Sequence, residues 1–263
     1  MTPSVRQLPE SERMTDPTTV PVAVLTDEEL AILAGDGGLV VTPFAEGFDA
    51  AEREVALRTA YRGLVARGIV DPPTPQARVD AIGEPGVELQ VRQDVLSIVT
   101  LRAAASAVVA VARTSVAHQD FWYAHVVEEV ALLEEVGLDG MHRFALATAD
   151  ELPALVVGAV VHPETGDGSG EPIELDPGAT EPPLEIAERL GTALLRSDVV
   201  IRWAGDDHAP LLGLFTGPSG AWVVEAHEGS GDALVATPST REALESRLRG
   251  DVALVVARAR ATR

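Results

Sequence analysis

An internal repetition constrains this chain more than any other feature. Two stretches, 91–160 and 183–249, read as copies of one unit. Each opens on an apolar-periodic helix and reaches a serine followed by a valine-rich strand. Ser106-Ala107-Val108-Val109-Ala110-Val111 answers to Ser197-Asp198-Val199-Val200-Ile201-Arg202. Each closes with a strand that feeds a helix through a threonine. Leu146-Ala147-Thr148-Ala149-Asp150 answers to Val235-Ala236-Thr237-Pro238-Ser239. The offset is 91 residues at the first match and 89 at the second, so the copies are nearly equal in length. Repeated segments of this kind predict a pseudo-symmetric α+β body.

Composition narrows the chemistry. The chain has 263 residues, enough for one large domain or two small ones with a sizeable core. Aromatics are only 4% against 46% hydrophobic residues, so that core is aliphatic. There is no Cys, which excludes disulfides, zinc–thiolate sites and cysteine nucleophiles. All twenty basic residues are Arg. A P-loop lysine, a Schiff-base lysine and a Ser–Lys dyad are therefore excluded too. Asn is also absent, and the joint loss of Lys and Asn, with their AT-rich codons, matches a GC-rich coding sequence. The net charge of −21 opposes binding to nucleic-acid backbones and anionic membranes. The longest weakly charged apolar run, 95–112, contains Arg102 and is no membrane span. Residues 1–22 carry four prolines and no hydrophobic region, which reads as a flexible tail and not a signal peptide. The expected location is cytoplasmic.

Taken in order, the chain divides into the tail 1–22, an N-terminal half 23–161, an acidic linker 162–183 and a second αβ copy 184–263, together one globular domain. Val22-Ala23-Val24-Leu25 reads as a strand, followed by a capping box at Thr26-Asp27-Glu28-Glu29. A strand at 39–41 and a helix at 49–67, ended by Gly68, come next. Residues 88–105 fit a helix, although β-branched residues leave a strand open. Strands are expected at 106–113, 120–129, 130–136 and 141–148, with an Asp139-Gly140 turn before the last. Thr148 and Glu151 suggest a second capping box and a helix at 149–161. The linker holds six acids, five prolines and four glycines, a composition that cannot order itself by apolar burial. In the second copy, a helix at 184–195 leads to strands at 197–203, 211–216, 221–226 and 233–236 and a helix at 238–249. Residues 251–260 read as either a strand or a helix.

No candidate catalytic constellation converges. Gly166-Asp167-Gly168-Ser169-Gly170 lacks the strand-then-helix context of a phosphate loop and reads as a flexible loop. Gly217-Pro218-Ser219-Gly220 resembles a nucleophile elbow but has a strand on both sides, so it reads as a hairpin turn. Gly205-Asp206-Asp207-His208 has too few ligands for a cation site. His125 and Glu129 are expected on one strand face, as a polar surface pair or, less simply, as an oriented base. Phe121-Trp122-Tyr123 concentrates three of the ten aromatics, with one face in the core and the other a core face or a partner anchor. No catalytic, cofactor-binding or metal-ligating residue is assigned, and no cofactor is expected.

Three features together resemble the EspG family: Leu25-Thr26-Asp27-Glu28-Glu29-Leu30, the helix end Leu64-Val65-Ala66-Arg67-Gly68-Ile69-Val70-Asp71, and the two αβ units after them. The resemblance spans 23–256. EspG proteins are cytoplasmic chaperones of actinobacterial type VII (ESX) secretion. The resemblance implies an α+β fold, a pseudo-two-fold duplicated unit with a central, mainly antiparallel sheet and packed helices, that binds PE/PPE-like helical secretion substrates at a hydrophobic tip and keeps them soluble. By the same resemblance, partner contacts fall on the loop after the first strand of copy one. The residues assigned there are Ser115, Val116, His118, Gln119, Phe121 and Trp122. Helices of the C-terminal half contribute as well.

The first functional reading is therefore a non-enzymatic protein-binding chaperone, without nucleic acid and without membrane insertion. A second is an acid–base hydrolase using scattered Asp, Glu and His, for which a pocket lined by His125, Glu129 and Asp207 would speak. A third is a regulatory scaffold using the helix at 49–67 in a winged-helix-like way, against the grain of the charge.

Overall fold

A computed structural model describes residues 19–35, 40–72, 89–175, 190–206, 209–226 and 234–261. The first strand, β1 (Val20–Thr26), runs straight into helix α1 (Asp27–Ala34). The Thr26 capping box sharpens that corner: Glu29 N donates to Thr26 Oγ1, and Thr26 N donates back to Glu29 Oε2. Helix α2 (Ala50–Ala66) starts on a second box, Asp49 with Glu52, and stops before Gly68 at φ +62°. After it, Val70 pairs with Val91 in an isolated antiparallel bridge.

Helix α3 (Gln93–Ala104) leads into a four-strand meander: β2 (Ala107–Ser115), β3 (Gln119–Val127), β4 (Val130–Gly137) and β5 (Met141–Thr148). Helix α4 (Leu152–Val160) closes this half. The second half repeats the plan with β6 (Ile173–Leu175), then β7 (Leu195–Trp203), β8 (Leu211–Gly217), β9 (Gly220–Ala226) and β10 (Leu234–Ser239), closed by α5 (Arg241–Ala261). All ten strands form one sheet in the order β1-β5-β4-β3-β2-β7-β8-β9-β10-β6, with every pairing antiparallel. The expected α+β body with a duplicated unit and a central antiparallel sheet is what the chain builds.

The halves meet at β2 and β7. These nine-residue strands pair along their whole length, with Val111 opposite Val199 at the midpoint. Each unit also begins earlier than the sequence match implies. Its first strand, β1 or β6, crosses to the outer edge and pairs with the last strand of its own meander. The matched residues are not true equivalents either: Ser106 precedes β2 while Ser197 lies inside β7, and Thr148 ends β5 while Thr237 lies inside β10. Valine-rich strands look alike under small shifts, so register has to come from pairing.

Alternation along the strands sorts two faces. One face carries Val109, Trp122, Ala124, Leu133, Val199, Leu214 and Val223, covered by α4 and α5. On the other, α1, α2 and α3 seal the N-terminal half through Leu30, Leu64, Val95 and Ile98 against Leu132 and Phe144. Helix α5 runs unbroken through 251–260, with Leu248, Val252, Val255, Val256 and Ala259 as its buried stripe. It begins at Arg241, later than expected, because β10 continues through Pro238 and Thr240 Oγ1 caps Ala243 N. Helix α4 likewise starts late. Glu151 accepts both the N–H and the hydroxyl of Thr148, which leaves a turn at 149–151 before Pro153 in the first helical turn.

Three expected elements fall partly outside the described residues. They are the strand at 39–41, whose residues 40 and 41 are not in a strand, the helix at 184–195, and the start of the strand at 233–236. The described part of the acidic stretch, residues 162–175, expected to have no order of its own, acquires it by docking. Gly166 N donates to Gly217 O, Gly168 N donates to Ser239 O, and Ile173–Leu175 pairs with Leu234–Ala236. Asp167 Oδ1 accepts Arg241 N at the start of α5. A Cβ at Gly168 would stand 2.1 Å from Ala221 O, so only glycine lets the strap lie this close. Gly168→Ala is expected to lower stability by about 1–3 kcal/mol. Gly250→Ala, inside α5 with open space around it, is expected to raise stability by about 0.5–1 kcal/mol. Urea unfolding midpoints of the two variants check both signs.

Candidate functional site

The sheet face under α1–α3 is apolar except for one line of side chains. His125 of β3, Glu134 of β4 and His142 of β5 project from it on neighbouring strands. His125 lies opposite Leu132 and His142 opposite Val136, so Glu134 stands diagonal to both. Its carboxylate accepts from His125 Nε2 at 2.7 Å, His142 Nδ1 at 2.6 Å and Arg102 Nε of α3 at 2.9 Å. The other nitrogen of His142 reaches Asp27 Oδ1 at 2.6 Å. Asp27, at the first turn of α1, also accepts the backbone N–H groups of Phe44 and Ala45. Asp27, Glu134 and His142 are fully buried and His125 nearly so.

The β4–β5 turn makes room for this arrangement. Gly140 sits at φ +68°, its carbonyl accepts Asp27 N, and a Cβ there would lie 2.6 Å from Phe44 Cβ. Burial pushes the Glu134 carboxyl up, but donation from His125 and His142 and the charge of Arg102 outweigh it and hold the group far below the ordinary glutamate range. For His142, burial acts downward, and the bonds to Asp27 and Glu134 outweigh it, so its pKa is raised. A ring that donates through both nitrogens to two carboxylates is an imidazolium. A carboxylate saturated by three donors is a poor general base, so Glu134 serves as the acceptor that ties β3, β5 and α3 together.

The second unit tests what the cluster is for. Equivalent meander positions follow from the ladders. Glu134 faces Tyr123 and Phe144, while Val224 faces Gly213 and Ala236. His125 faces Val108 and Leu132, while Phe215 faces Arg196 and Trp222. Where the first unit places His125 and Glu134, the second places Phe215 and Val224, which join Leu190, Trp222, Leu234 and Ala236 in an apolar cluster. The polar line is a departure of one copy from the shared plan.

His125 also borders a cavity of about 590 Å³ between α3, the start of β2 and the end of β7. Arg102, Arg202, Trp203 and Val40 line it too. The expected His125–Glu129 pair does not form. Strand β3 ends at Val127, and Glu129 sits in the following turn, where it binds Arg260 with Asp150. Asp207 lies outside the described residues. The carboxylate partner of His125 is Glu134, on the next strand. The signal for it was a glutamate at an alternating apolar position, Leu132-Leu133-Glu134-Glu135-Val136.

At the far end of β2 is the β2–β3 hairpin tip. Ser115 clamps it: its N donates to His118 O, and its Oγ accepts from Ala117 N and His118 N. A bidentate Arg113–Asp120 pair, at 2.7 and 2.8 Å, locks the base. Val116 stands 93% exposed on this frame. Ser115, Val116, His118 and Gln119 thus gather at the tip. Phe121 is half-buried beside Tyr123 and Val136, and Trp122 turns the other way into the core beneath α4 and α5. The Gly217–Gly220 segment is the turn between β8 and β9. Among the described residues no three His, Asp or Glu side chains are arranged to hold a metal ion, and no helix is long and apolar enough to cross a membrane.

Comparison with protein-family models finds no match, and comparison with curated proteins finds none either. Among solved structures, the Mycobacterium tuberculosis type VII secretion system chaperone EspG5, in complex with a PE25–PPE41 dimer, is similar to this chain. The identity is 10%, over 86% of this chain and 94% of that one, with a TM-score of 0.49.

The buried network gives a stability profile with two limbs. The contribution of Glu134, whose pKa is lowered, is present above its unfolded value of 4.5 and lost as pH falls through the lower folded value. That of His142, whose pKa is raised, is present below 6.5 and lost as pH rises through the higher folded value. The network therefore contributes most between pH 4.5 and 6.5. Urea midpoints measured across pH should decline on both sides, and His142→Phe should flatten the alkaline limb. Glu134→Leu, which strands His142 and Arg102, should cost about 3–5 kcal/mol.

Proposed function

We propose that this chain is a protein-binding chaperone of the EspG type. It acts in the cytoplasm, without a cofactor, and holds PE/PPE-like helical secretion substrates in solution by covering an apolar tip. The sequence resemblance at Leu25–Leu30 and Leu64–Asp71 supports the reading. The observation that carries it is the hairpin tip: an aliphatic side chain, Val116, displayed on a turn whose backbone is already fixed by Ser115 and whose base is fixed by Arg113 and Asp120. A preformed apolar projection loses little conformational freedom on docking, which favours association. Ser115, His118 and Gln119 surround Val116 with hydrogen-bonding groups suited to the polar rim of an interface. Phe121 lies further along the same strand and backs the tip.

Co-expression with helical substrates encoded beside this gene should yield a complex that survives size exclusion. Val116→Asp should weaken it by about tenfold or more while leaving the urea midpoint unchanged, because Val116 packs against nothing it would lose. A complex of undiminished affinity in Val116→Asp removes the tip from the interface. Recovery of free chain alone from co-expression removes the chaperone reading.

A further inference from the structure

We propose that the segment 40–48 is a proton-controlled lid: a proton held along Asp27–His142–Glu134 latches it, and loss of that proton frees it while the sheet stays folded. The segment lies between α1 and α2 in the chain and forms a single 3-10 turn at Ala45–Gly47. Beneath it is a cavity of about 460 Å³. Val40, Thr42, Ala45, Glu46 and Phe48 line one side of that cavity, and α1, α2 and α3 line the rest. Phe44, Glu46 and Gly47 are exposed, so this segment is the layer between cavity and solvent.

Two buried side chains hold the lid. Val41 N donates to Tyr123 Oη at 3.2 Å. Phe44 N and Ala45 N donate to Asp27 Oδ2 at 2.9 and 3.0 Å. The other oxygen, Asp27 Oδ1, meets His142 Nε2 at 2.6 Å, while His142 Nδ1 meets Glu134 Oε1 at 2.6 Å. Each of these two bridges needs a proton between its heavy atoms, and a neutral imidazole carries only one. The pair therefore holds one proton beyond a neutral ring and two carboxylates, whichever atom carries it. Without that proton a ring lone pair faces a carboxylate lone pair, with Asp27 and His142 both fully buried.

The bridge to Asp27 is the one that gives way. Glu134 retains Arg102 of α3 at 2.9 Å and its contact with His125 of β3. Asp27 lines the cavity, so opening the layer above it is the shortest route to water for a buried carboxylate that has lost its donor. Glu46 of the lid, Arg53 of α2 and Arg102 of α3 line that cavity with it, and the Glu29–Arg67 pair lies two residues further along α1. These charges set the pH at which the proton leaves. Burial acts to lower the His142 pKa, but the bonds to Asp27 and Glu134 raise it above the ordinary 6.5. The latch is therefore fully closed below 6.5 and is lost as pH rises through the higher folded value. Tyr123 titrates elsewhere, since burial raises its pKa above the ordinary 10.0.

Native-state amide exchange of the full chain, read by NMR, tests this. Protection is taken as the intrinsic exchange rate at each pH over the observed one. At Phe44 and Ala45 it should fall above pH 6.5 and level off once His142 is neutral. The steepest slope should be about tenfold per pH unit, that of one released proton. This protection should be indifferent to about 1 M urea, because opening a short lid exposes little surface. Val223 and Val224, inside the β8–β9 ladder, open with the whole chain and should lose protection in the same urea. Asp27→Asn keeps an oxygen for Phe44 and Ala45 and offers the neutral ring an N–H, so it should make lid protection independent of pH. Tyr123→Phe should lower protection at Val41 and leave the slope at Phe44 and Ala45 in place. Where Asp27→Asn does not fold, the parent decides: the His142 ring, read by long-range proton–nitrogen NMR, must titrate at the pH where lid protection levels off. Lid protection that is flat with pH, that falls in urea together with Val223 and Val224, or that keeps its slope in Asp27→Asn would each overturn the proposal. A His142 titration displaced from the levelling-off point would do the same.

Discussion

Everything in this chain depends on the ladder between β2 and β7. Each half is a four-strand meander with an edge strand returned to its outer side, and each has one inner strand left unpaired. Joining those inner strands antiparallel removes both free edges at once. It also makes a single sheet wide enough to support a shared helical layer. Helices α4 and α5, which close the two units, then pack together on one face, so the C-terminal element of each half helps cover the other. Neither half has this cover alone. The duplication therefore produces one body, with the core concentrated where the copies meet.

The second face shows what such a plan leaves free to vary. In the C-terminal half the positions that answer to His125 and Glu134 are apolar, Phe215 and Val224. In the N-terminal half Glu134, His142, Asp27 and Arg102 replace part of that packing with a charge network. Replacing a buried ion network by well-packed apolar residues is often neutral or stabilising, and the second copy illustrates the apolar solution at equivalent positions. The network's contribution is then better sought in what it positions. Through Asp27 it fixes the start of α1 and the backbone at Phe44 and Ala45. Through Glu134 it fixes Arg102 and the ring of His125 at the cavity wall. A purely apolar patch would hold these elements with less directional definition.

Much of the architecture was legible in the residues, and the losses have physical reasons. Helix α2 announced itself by its Asp49 cap, its Leu57–Leu64 stripe and Gly68, all local signals. The meander strands were equally clear from alternation. Strands β1 and β6 were harder to place, because their membership in a unit is set by pairing with β5 and β10, far away in sequence. Strand β6 was missed outright. Three residues in an acidic stretch bury little, and they order only because Gly166 and Gly168 let the backbone touch the β8–β9 turn and β10. The network was missed for a related reason. His125 was matched to a carboxylate on its own strand, Glu129, by period two. The true partner was diagonal across a ladder, and a diagonal depends on register that a single strand does not carry. Trp122 illustrates the same limit in reverse: alternation separated it from Phe121 and Tyr123, but only the sheet decides which of the two faces is covered by α4 and α5.

A duplicated fold makes its own control experiment. Positions that agree between copies answer to the shared architecture; positions that differ are released from it. By that measure the β2–β3 tip and the His125 cavity are unequal. The tip varies as loops do, since turns between strands tolerate change at little cost. The cavity varies in the interior, where a change from Phe215 and Val224 to His125 and Glu134 requires compensating charges on three further elements. Such a set is assembled only together: Glu134 without Arg102 and His142 would be a bare buried charge, and His142 without Asp27 would lose its second acceptor. As a complete set of mutually paired groups, it makes the interior of the first unit the place where this chain departs furthest from what its fold alone demands.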